Sequence, residues 1–491
     1  MAADHLTALD ATFLELEQDD DGALMHIGAA LVFDPLPGGG SPTVEQLREH
    51  VAMRLDRLPR YRQKLSTPRT GGFEWPSWED DPRFDLEAHI RHATLPAPGE
   101  EHDLLDWIAD FYSHRLDRRR PLWEIALLDG LSNGAWALVW KTHHCLADGV
   151  GTVGVVHLLL DSAHDPDPGP HLRVTGGLSA SISPDPDQRL LPLPPGVVRW
   201  SAEAGLAAAR AGTHALVHPR KAFERSQAIV DLLIRDEMIA APRTSLNQPI
   251  GSTRRIATVH AERKAMEDIR GELGGTLNDV VLYAATGGLR ALLLERGEPL
   301  PRQGLRAMVP VNIRGTASDG ELGNKVSSMF VELPVAEADP RRSYERVRAA
   351  SERHKASGQP LASSTLVGLT QLAPPSLHVG LARMLYAKRL FNVTITNVPG
   401  PPARLYSFGA PMTDIVPIVP LASDHAVGMA VVSYAGRMTF GLIADRGSVP
   451  DLDVLEDGIA AALFELAAVL PRPRRARAHR RRSGSRANRE T

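Results

Sequence analysis

The chain has 491 residues, 43% hydrophobic and 23% charged, with 55 basic against 59 acidic side chains, a formal net charge of −4 and one cysteine. That length and composition predict two or three globular domains rather than a disordered or fibrous chain. The lone cysteine excludes a disulfide framework or zinc ribbon, and near-balanced charge gives no reason to expect nucleic acid as a partner. The acidic, polar-broken start from Met1 to Asp20 lacks the order of a signal peptide. No run of 18 or more apolar residues is present, so no membrane-spanning helix is expected. These features describe a reduced, cytoplasmic globular protein.

A first segment, residues 1–163, carries a predicted hairpin over 123–142. Trp123 to Leu128 and Ala135 to Lys141 are its strands, with Asp129-Gly130 and Asn133-Gly134 as turn formers. After Gly149 the spacing of Val150, Val153, Val155, Val156, Leu158 and Leu159 predicts a buried helix. Residues 164–250 form a linker and crossover. Eight prolines fall between His164 and Pro195, a density that no helix or central strand holds. Residues 196–218 then have the pattern of an amphipathic helix, able to pack on the body or to lie on a lipid surface. The second segment, 251–470, has helical runs at 264–273, 277–296, 340–357 and 451–470. Its strand-like runs are at 305–313, 325–333, 391–397, 426–434 and 437–444. Helices and strands mix without strict alternation, so α/β layers with mixed sheets are expected. Residues 471–491 hold nine Arg and one Glu and almost nothing apolar, which predicts a disordered tail.

The sharpest local feature is Lys141-Thr142-His143-His144-Cys145-Leu146-Ala147-Asp148-Gly149. Histidine is mostly neutral at cellular pH and can take a proton from a hydroxyl. Side chains alternate along a strand, so His143 and His144 cannot both aim into one pocket while the strand stays regular. One is then the working base and the other structural. Asp148, on the turn before a helix, can brace the loop, and Gly149 permits a backbone shape that other residues resist. A strand end with two satisfied histidines would carry the same letters. A metal would need three or more ligands and the motif supplies no such spacing, so none is expected. Cys145 beside a histidine is a third reading, as a nucleophile, although a small buried residue is the commoner fate of such a cysteine.

His143-His144-x-x-x-Asp148-Gly149 resembles the signature of the CoA-dependent acyltransferase superfamily. The ordered pieces around it narrow the resemblance. They are Leu9-Asp10-Ala11 with Phe13; Met25-His26-Ile27-Gly28; Pro82, Phe84 and Asp85 with His89; and Arg120-Pro121-Leu122-Trp123-Glu124. Asn278-Asp279-Val280-Val281-Leu282 follows, then Val309-Pro310-Val311-Asn312 with Arg314. Gly323-Asn324 with Ser327 and Asn397-Val398-Pro399-Gly400-Pro401 complete the set. From about residue 4 to 470 the chain is similar to the bacterial wax ester synthase/acyl-CoA:diacylglycerol acyltransferase family. The resemblance implies two chloramphenicol-acetyltransferase-like subdomains with mixed sheets and an active-site channel at their interface. It implies transfer of a long-chain acyl group from acyl-CoA to diacylglycerol or a fatty alcohol, with His144 as general base and neither cofactor nor metal, since acyl-CoA is a substrate. Asp148 resembles the family's structural acid. Cys145 stands where Ala is common, and Asn312 where Ser is frequent.

Supporting positions carry two readings each. Thr276 to Asp279 has the form of a helix capping box; the resemblance adds that Asn278 and Asp279 support the site. Pro121, Leu122 and Trp123 read as packing elements as readily as substrate contacts. The alternatives to the family activity are a related acyltransferase with another acceptor or a carrier-bound donor, and a non-catalytic lipid-binding paralogue. The tail's charge of +8 leaves −12 for the rest of the chain. A basic tail could hold an acidic body to anionic lipid. The expected location is therefore cytoplasmic, in peripheral contact with the inner face of the membrane or with lipid droplets.

Overall fold

The computed structural model describes residues 5–6, 8–66, 76–146, 155, 159–161, 240–312, 326–356, 390–401 and 403–470. Most of the expected helix after Gly149, nearly all of the Pro-rich linker with its crossover helix, the Arg-rich tail, and the motif residues Asp148, Gly149, Arg314, Gly323 and Asn324 lie outside these residues.

Two six-stranded sheets organise the chain. The first contains β1 (His26–Phe33), β4 (Ile90–Thr94), β5 (Trp123–Asp129), β6 (Trp136–His143), β11 (Tyr406–Ser407) and β12 (Ala410–Ile418), in the order β11-β12-β1-β6-β5-β4. The second contains β7 (Arg254–Glu262), β8 (Leu305–Asn312), β9 (Val326–Leu333), β10 (Val393–Pro399), β13 (Val427–Tyr434) and β14 (Arg437–Asp445), in the order β7-β14-β13-β10-β8-β9. Both sheets are mixed. β4 runs parallel to β5 in the first, and β10 runs parallel to both β13 and β8 in the second. A small separate pair, β2 (Gln63–Leu65) and β3 (Trp78–Asp80), completes the strands among the described residues. The expected 123–142 hairpin forms as an antiparallel pair, with Gly130, Asn133 and Gly134 at positive φ in its loop. That backbone shape is the one Gly and Asn tolerate best.

The first sheet is not built from the first half of the chain alone. β12, from the C-terminal segment, pairs antiparallel with β1 from Gly28↔Ile418 to Phe33↔Met412. Its pattern is poor strand code, since it holds Pro411 and Pro417. Pro417 is tolerated because β11 reaches only Ala410 and Pro411, so no strand pairs with β12 beside Pro417 on the side away from β1, and Pro411 is only the second residue of the strand. β14 passes close to β12. A Cβ on Gly441 would lie 2.0 Å from the Pro417 carbonyl oxygen, so only glycine fits there.

β6 is buried at every position. One face of this sheet (Ala30, Ala126, Leu128, Ala137, Val139) joins a core that runs through α3 (Glu101–Tyr112) to the second sheet. The other face (Leu31, Phe33, Leu127, Trp136, Leu138) packs under α2 (Val44–Leu55). A strand covered on both faces reads as continuously apolar, which explains the lack of alternation in its sequence. Each fully buried Leu or Phe stabilises the fold by roughly 1.5–3 kcal/mol.

The helices α4 (Arg263–Leu273), α5 (Leu277–Glu295), α6 (Pro340–Ala356) and α7 (Leu452–Ala468) belong to the second half. α5 is long and apolar enough to cross a bilayer, but it is mostly buried and packs along α7. Arg254 links the halves. Its guanidinium donates to the Gly22 and Gly251 carbonyls, and its backbone N–H donates to Ser113 Oγ at 2.9 Å.

Candidate active site

The site is assembled where β1 and β6 end together. His26 and His143 are register partners across the two strands. The chain then leaves β6 in a single 3-10 turn over His144–Leu146. Two backbone bonds hold this exit. His143 N–H donates to the Leu122 carbonyl at 3.0 Å and His144 N–H to the Met25 carbonyl at 2.8 Å. Because the strand stops at His143, strict alternation stops with it. Both imidazoles meet α1 (Ala8–Asp19), His143 at Glu17 and His144 at Phe13, one helical turn apart.

α1 lies over this exit because it is apolar on two sides. Ala11 and Leu14 pack with Leu116, Leu122 and Cys145, while Phe13 and Leu16 pack with Ala23, Met25 and Ala422. Ala422 belongs to the C-terminal segment, so both halves of the chain border the His144 neighbourhood.

The two histidines differ in every respect that matters chemically. His143 is 1% exposed and both its ring nitrogens are engaged. Nδ1 accepts the Cys145 backbone N–H at 3.1 Å, so the ring proton sits on Nε2, which donates to Glu17 Oε2 at 2.7 Å. Burial pushes its pKa down, against the pull of Glu17, which leaves a neutral ring. His144 is half-buried and stacks on Phe13 with ring centroids 3.9 Å apart. Its Nδ1 is buried and has no hydrogen-bond partner among the described residues. Burial pushes the His144 pKa down to about 4, with the neighbouring His143 adding to the shift. His144 is therefore an uncharged imidazole at ordinary pH, able to accept a proton.

Glu17 is the residue that sequence reasoning missed. It is 2% exposed and draws partners from several elements. His143 donates to it, His26 Nε2 lies 3.5 Å from its Oε1, and Arg118 Nη2 donates to Oε2 at 3.3 Å. Burial raises its pKa, but the hydrogen bonds offered by the His143 and His26 rings outweigh that and hold the carboxyl below the usual carboxylate range. Arg118 also donates to the Leu14 carbonyl at 2.9 Å, and Arg115 to the Glu17 carbonyl at 2.7 Å and the Asp20 carbonyl at 3.2 Å. Two guanidinium groups thus sit at the C-terminal end of α1, one of them on the last-turn carbonyl of Glu17, where the helix dipole favours cations. The signal that could have pointed to Glu17 was an acid one turn after Phe13 inside an apolar helical stretch.

Of the other expected positions, Pro121, Leu122 and Trp123 lie beside the end of β6. The Leu122 carbonyl accepts from both His143 N–H and Thr142 Oγ1, so this residue fastens the end of β6. The Pro121 carbonyl accepts from Trp123 N–H in a tight turn. Trp123 is fully buried, stacks on His89 at 4.5 Å and donates from Nε1 to the Tyr61 carbonyl at 2.8 Å. These three brace the strand end. Burial pushes the Cys145 thiol well up, the reverse of what a nucleophilic thiolate needs. Gly28 is required for another reason. A Cβ there would sit 2.2 Å from the Tyr112 hydroxyl, which donates to the Trp140 carbonyl at 2.5 Å.

Asn278 and Asp279 are at the start of α5. The capping box forms: Asp279 N–H donates to Thr276 Oγ1 at 3.3 Å, and Asp279 Oδ2 accepts from Thr276 N–H at 2.7 Å and from its hydroxyl at 2.8 Å. Asn278 is half-buried. Among the described residues no hydrogen bond links either residue to His143 or His144. Among the described residues, too, no group of three or more His, Cys, Asp or Glu side chains is arranged to hold a metal.

Residues 6–281 match the family model of the wax ester synthase/diacylglycerol acyltransferase catalytic domain, and residues 322–467 match that of the WS/DGAT C-terminal domain. A Mycobacterium tuberculosis protein named "Probable diacyglycerol O-acyltransferase tgs1" is 32% identical over 471 residues, covering 95% of this chain and 96% of its own. A second from that organism, tgs2, is 30% identical over 462 residues, covering 93% and 97%. The structure of the wax ester synthase/diacylglycerol acyltransferase from Marinobacter aquaeolei VT8 matches with a TM-score of 0.65 at 27% identity, over 94% of this chain and 99% of that one. The starter condensation domain of rhizomide synthetase RzmA matches with a TM-score of 0.56 at 14% identity, over 95% of each chain, a likeness of fold.

Proposed function

This chain belongs to the wax ester synthase/diacylglycerol acyltransferase family, and on that premise we propose that His144 is the general base of its acyl transfer. The enzyme moves an acyl group from a coenzyme A thioester to the hydroxyl of a diacylglycerol or an alcohol. A hydroxyl is a weak nucleophile until a base takes its proton during attack. Neutral His144 accepts that proton as the oxygen bonds to the thioester carbonyl carbon. The tetrahedral oxyanion then collapses, the carbon–sulfur bond breaks, and the imidazolium returns the proton to the departing thiolate. The products are an ester and free coenzyme A, with no covalent acyl-enzyme. The raised thiol pKa of Cys145 supports the direct route.

The observation that carries this reading is the division of labour at the end of β6. His143 is committed at both nitrogens, whereas His144 stacks on Phe13 with Nδ1 unpartnered among the described residues. For Asp148 and Gly149, the match to the family motif implies a bracing acid and a turn-forming glycine. The match to the family motif gives Asn278 and Asp279 a supporting role from the second half. The test is His144→Ala, assayed with palmitoyl-CoA and either a diacylglycerol or hexadecanol and read by thin-layer chromatography. Ester synthesis should vanish while the circular dichroism spectrum is retained; undiminished synthesis would remove His144 from the mechanism.

The acceptors of this family are water-insoluble, so we read the enzyme as working at a cytoplasmic lipid surface. Phe464, 77% exposed on α7, stands near the point where the chain continues into a tail of nine Arg and one Glu. An exposed aromatic beside a basic segment suits an anionic bilayer, at about 1 kcal/mol per basic residue near the surface. Deleting 471–491, or making Phe464→Asp, should reduce sedimentation with phosphatidylglycerol vesicles. Unchanged binding by both variants would end the idea.

A further inference from the structure

We propose that Glu17 is a positioning residue for the reaction, acting through the tautomer of His143. This rests on reading His144 as the base. His143 Nδ1 accepts the Cys145 N–H, and that acceptance requires the ring proton to be on Nε2. An ionised Glu17 at 2.7 Å is the partner that holds the proton there, because a carboxylate only accepts. With the other tautomer, Nδ1–H would point at Cys145 N–H, two donors facing each other in the interior. That conflict falls within the turn His144–Leu146, one residue either side of the base. The same helix that presents Glu17 to His143 presents Phe13 to His144, four residues earlier. Glu17 thus sets the backbone that carries His144, and α1 sets the plane of its ring.

The surroundings of Glu17 show a built arrangement. Arg118 and Arg115 approach from the segment after α3, and His26 from β1. His26 is 1% exposed and its pKa is pushed down to about 4, by burial first, so it faces Glu17 as a neutral ring. A buried carboxylate held by two arginines keeps its charge, and with it the direction of the His143 proton.

The test uses full-length Glu17→Ala and Glu17→Gln, with kcat and KM for palmitoyl-CoA against hexadecanol. It adds imidazole nitrogen resonances of 15N-histidine-labelled protein, with His143 assigned by the His143→Gln difference. Glutamine retains an acceptor oxygen but not the charge. In Glu17→Ala the Nε2–H signature of His143 should be lost and kcat should fall about 10²-fold, as a small misplacement of a catalytic group does. KM should stay within about twofold, because ground-state binding is untouched. Glu17→Gln should keep the signature and recover most of kcat. It also serves if Glu17→Ala does not fold. Wild-type kcat in folded Glu17→Ala, or a Glu17→Gln variant that keeps the tautomer yet loses as much activity as Glu17→Ala, would overturn the proposal. If Glu17→Ala is active while His144→Ala is dead, only Glu17 fails; if His144→Ala is also active, the base assignment itself fails.

Discussion

The exit of β6 and the start of α5 both carry family motif residues, and they satisfy their polar groups in opposite ways. At the start of α5, Thr276 and Asp279 Oδ2 bond each other within four residues and cap the helix, although Asp279 Oδ1 stays buried without a partner among the described residues. At the exit of β6, His143 finds its partner in Glu17, 126 residues away, and His144 keeps a buried nitrogen without a partner among the described residues. A polar group satisfied by its neighbours stabilises local structure. A polar atom kept buried and unpaired costs stability, and such costs gather where chemistry is done.

Substitutions can break this comparison at several strengths. The largest effect belongs to His144→Ala, which should lower kcat by about 10²–10⁴-fold, the range general-base help supplies. A loss below tenfold in a folded protein would make the two regions alike. Acid comes next. His26, His143 and His144 are all held below their ordinary pKa, chiefly by burial. The unfolded chain therefore binds more protons as pH falls below about 6.5, so the stability these rings permit is complete above that pH and is lost toward about 4. His260 works the other way, its pKa raised chiefly by its hydrogen bond with Glu101, but it is partly exposed and weaker in effect. The thermal midpoint should fall steadily from pH 7 to 4.5; a flat profile would contradict the burial of the three rings.

Thr276→Ala tests the other region. Loss of the cap should lower unfolding free energy by about 1 kcal/mol, seen in urea denaturation, with kcat little changed. A collapse of kcat without loss of stability would mean that the start of α5 serves the chemistry directly. The smallest effect is expected of Cys145→Ala, because its backbone N–H, not its thiol, serves His143. Steady-state rates should match those of the parent; abolished activity in a folded protein would reopen a covalent acyl-enzyme route.

Much was legible in the residues alone. The helices of the second half, the 123–142 hairpin, the capping box and the special pair His143-His144 all follow from periodicity, turn chemistry and short-range spacing. Local rules decide these features, so a window of a few residues contains them. The ordered motifs also sufficed to place the chain in its family.

Other features needed the assembled chain. β12 was not legible because its two prolines contradict strand code; Pro411 stands at the start of the strand, and Pro417 lies beyond the reach of the short β11. No spacing rule shows that this late strand completes the sheet carrying His143. Nor could the letters say which histidine is free, since that depends on Glu17 and Phe13 being brought to the strand end by α1. Sequence sets propensity and pattern, which act over a few residues. The tertiary structure decides which distant side chains share one desolvated space, and there burial and hydrogen bonding fix the protons on which the reaction depends.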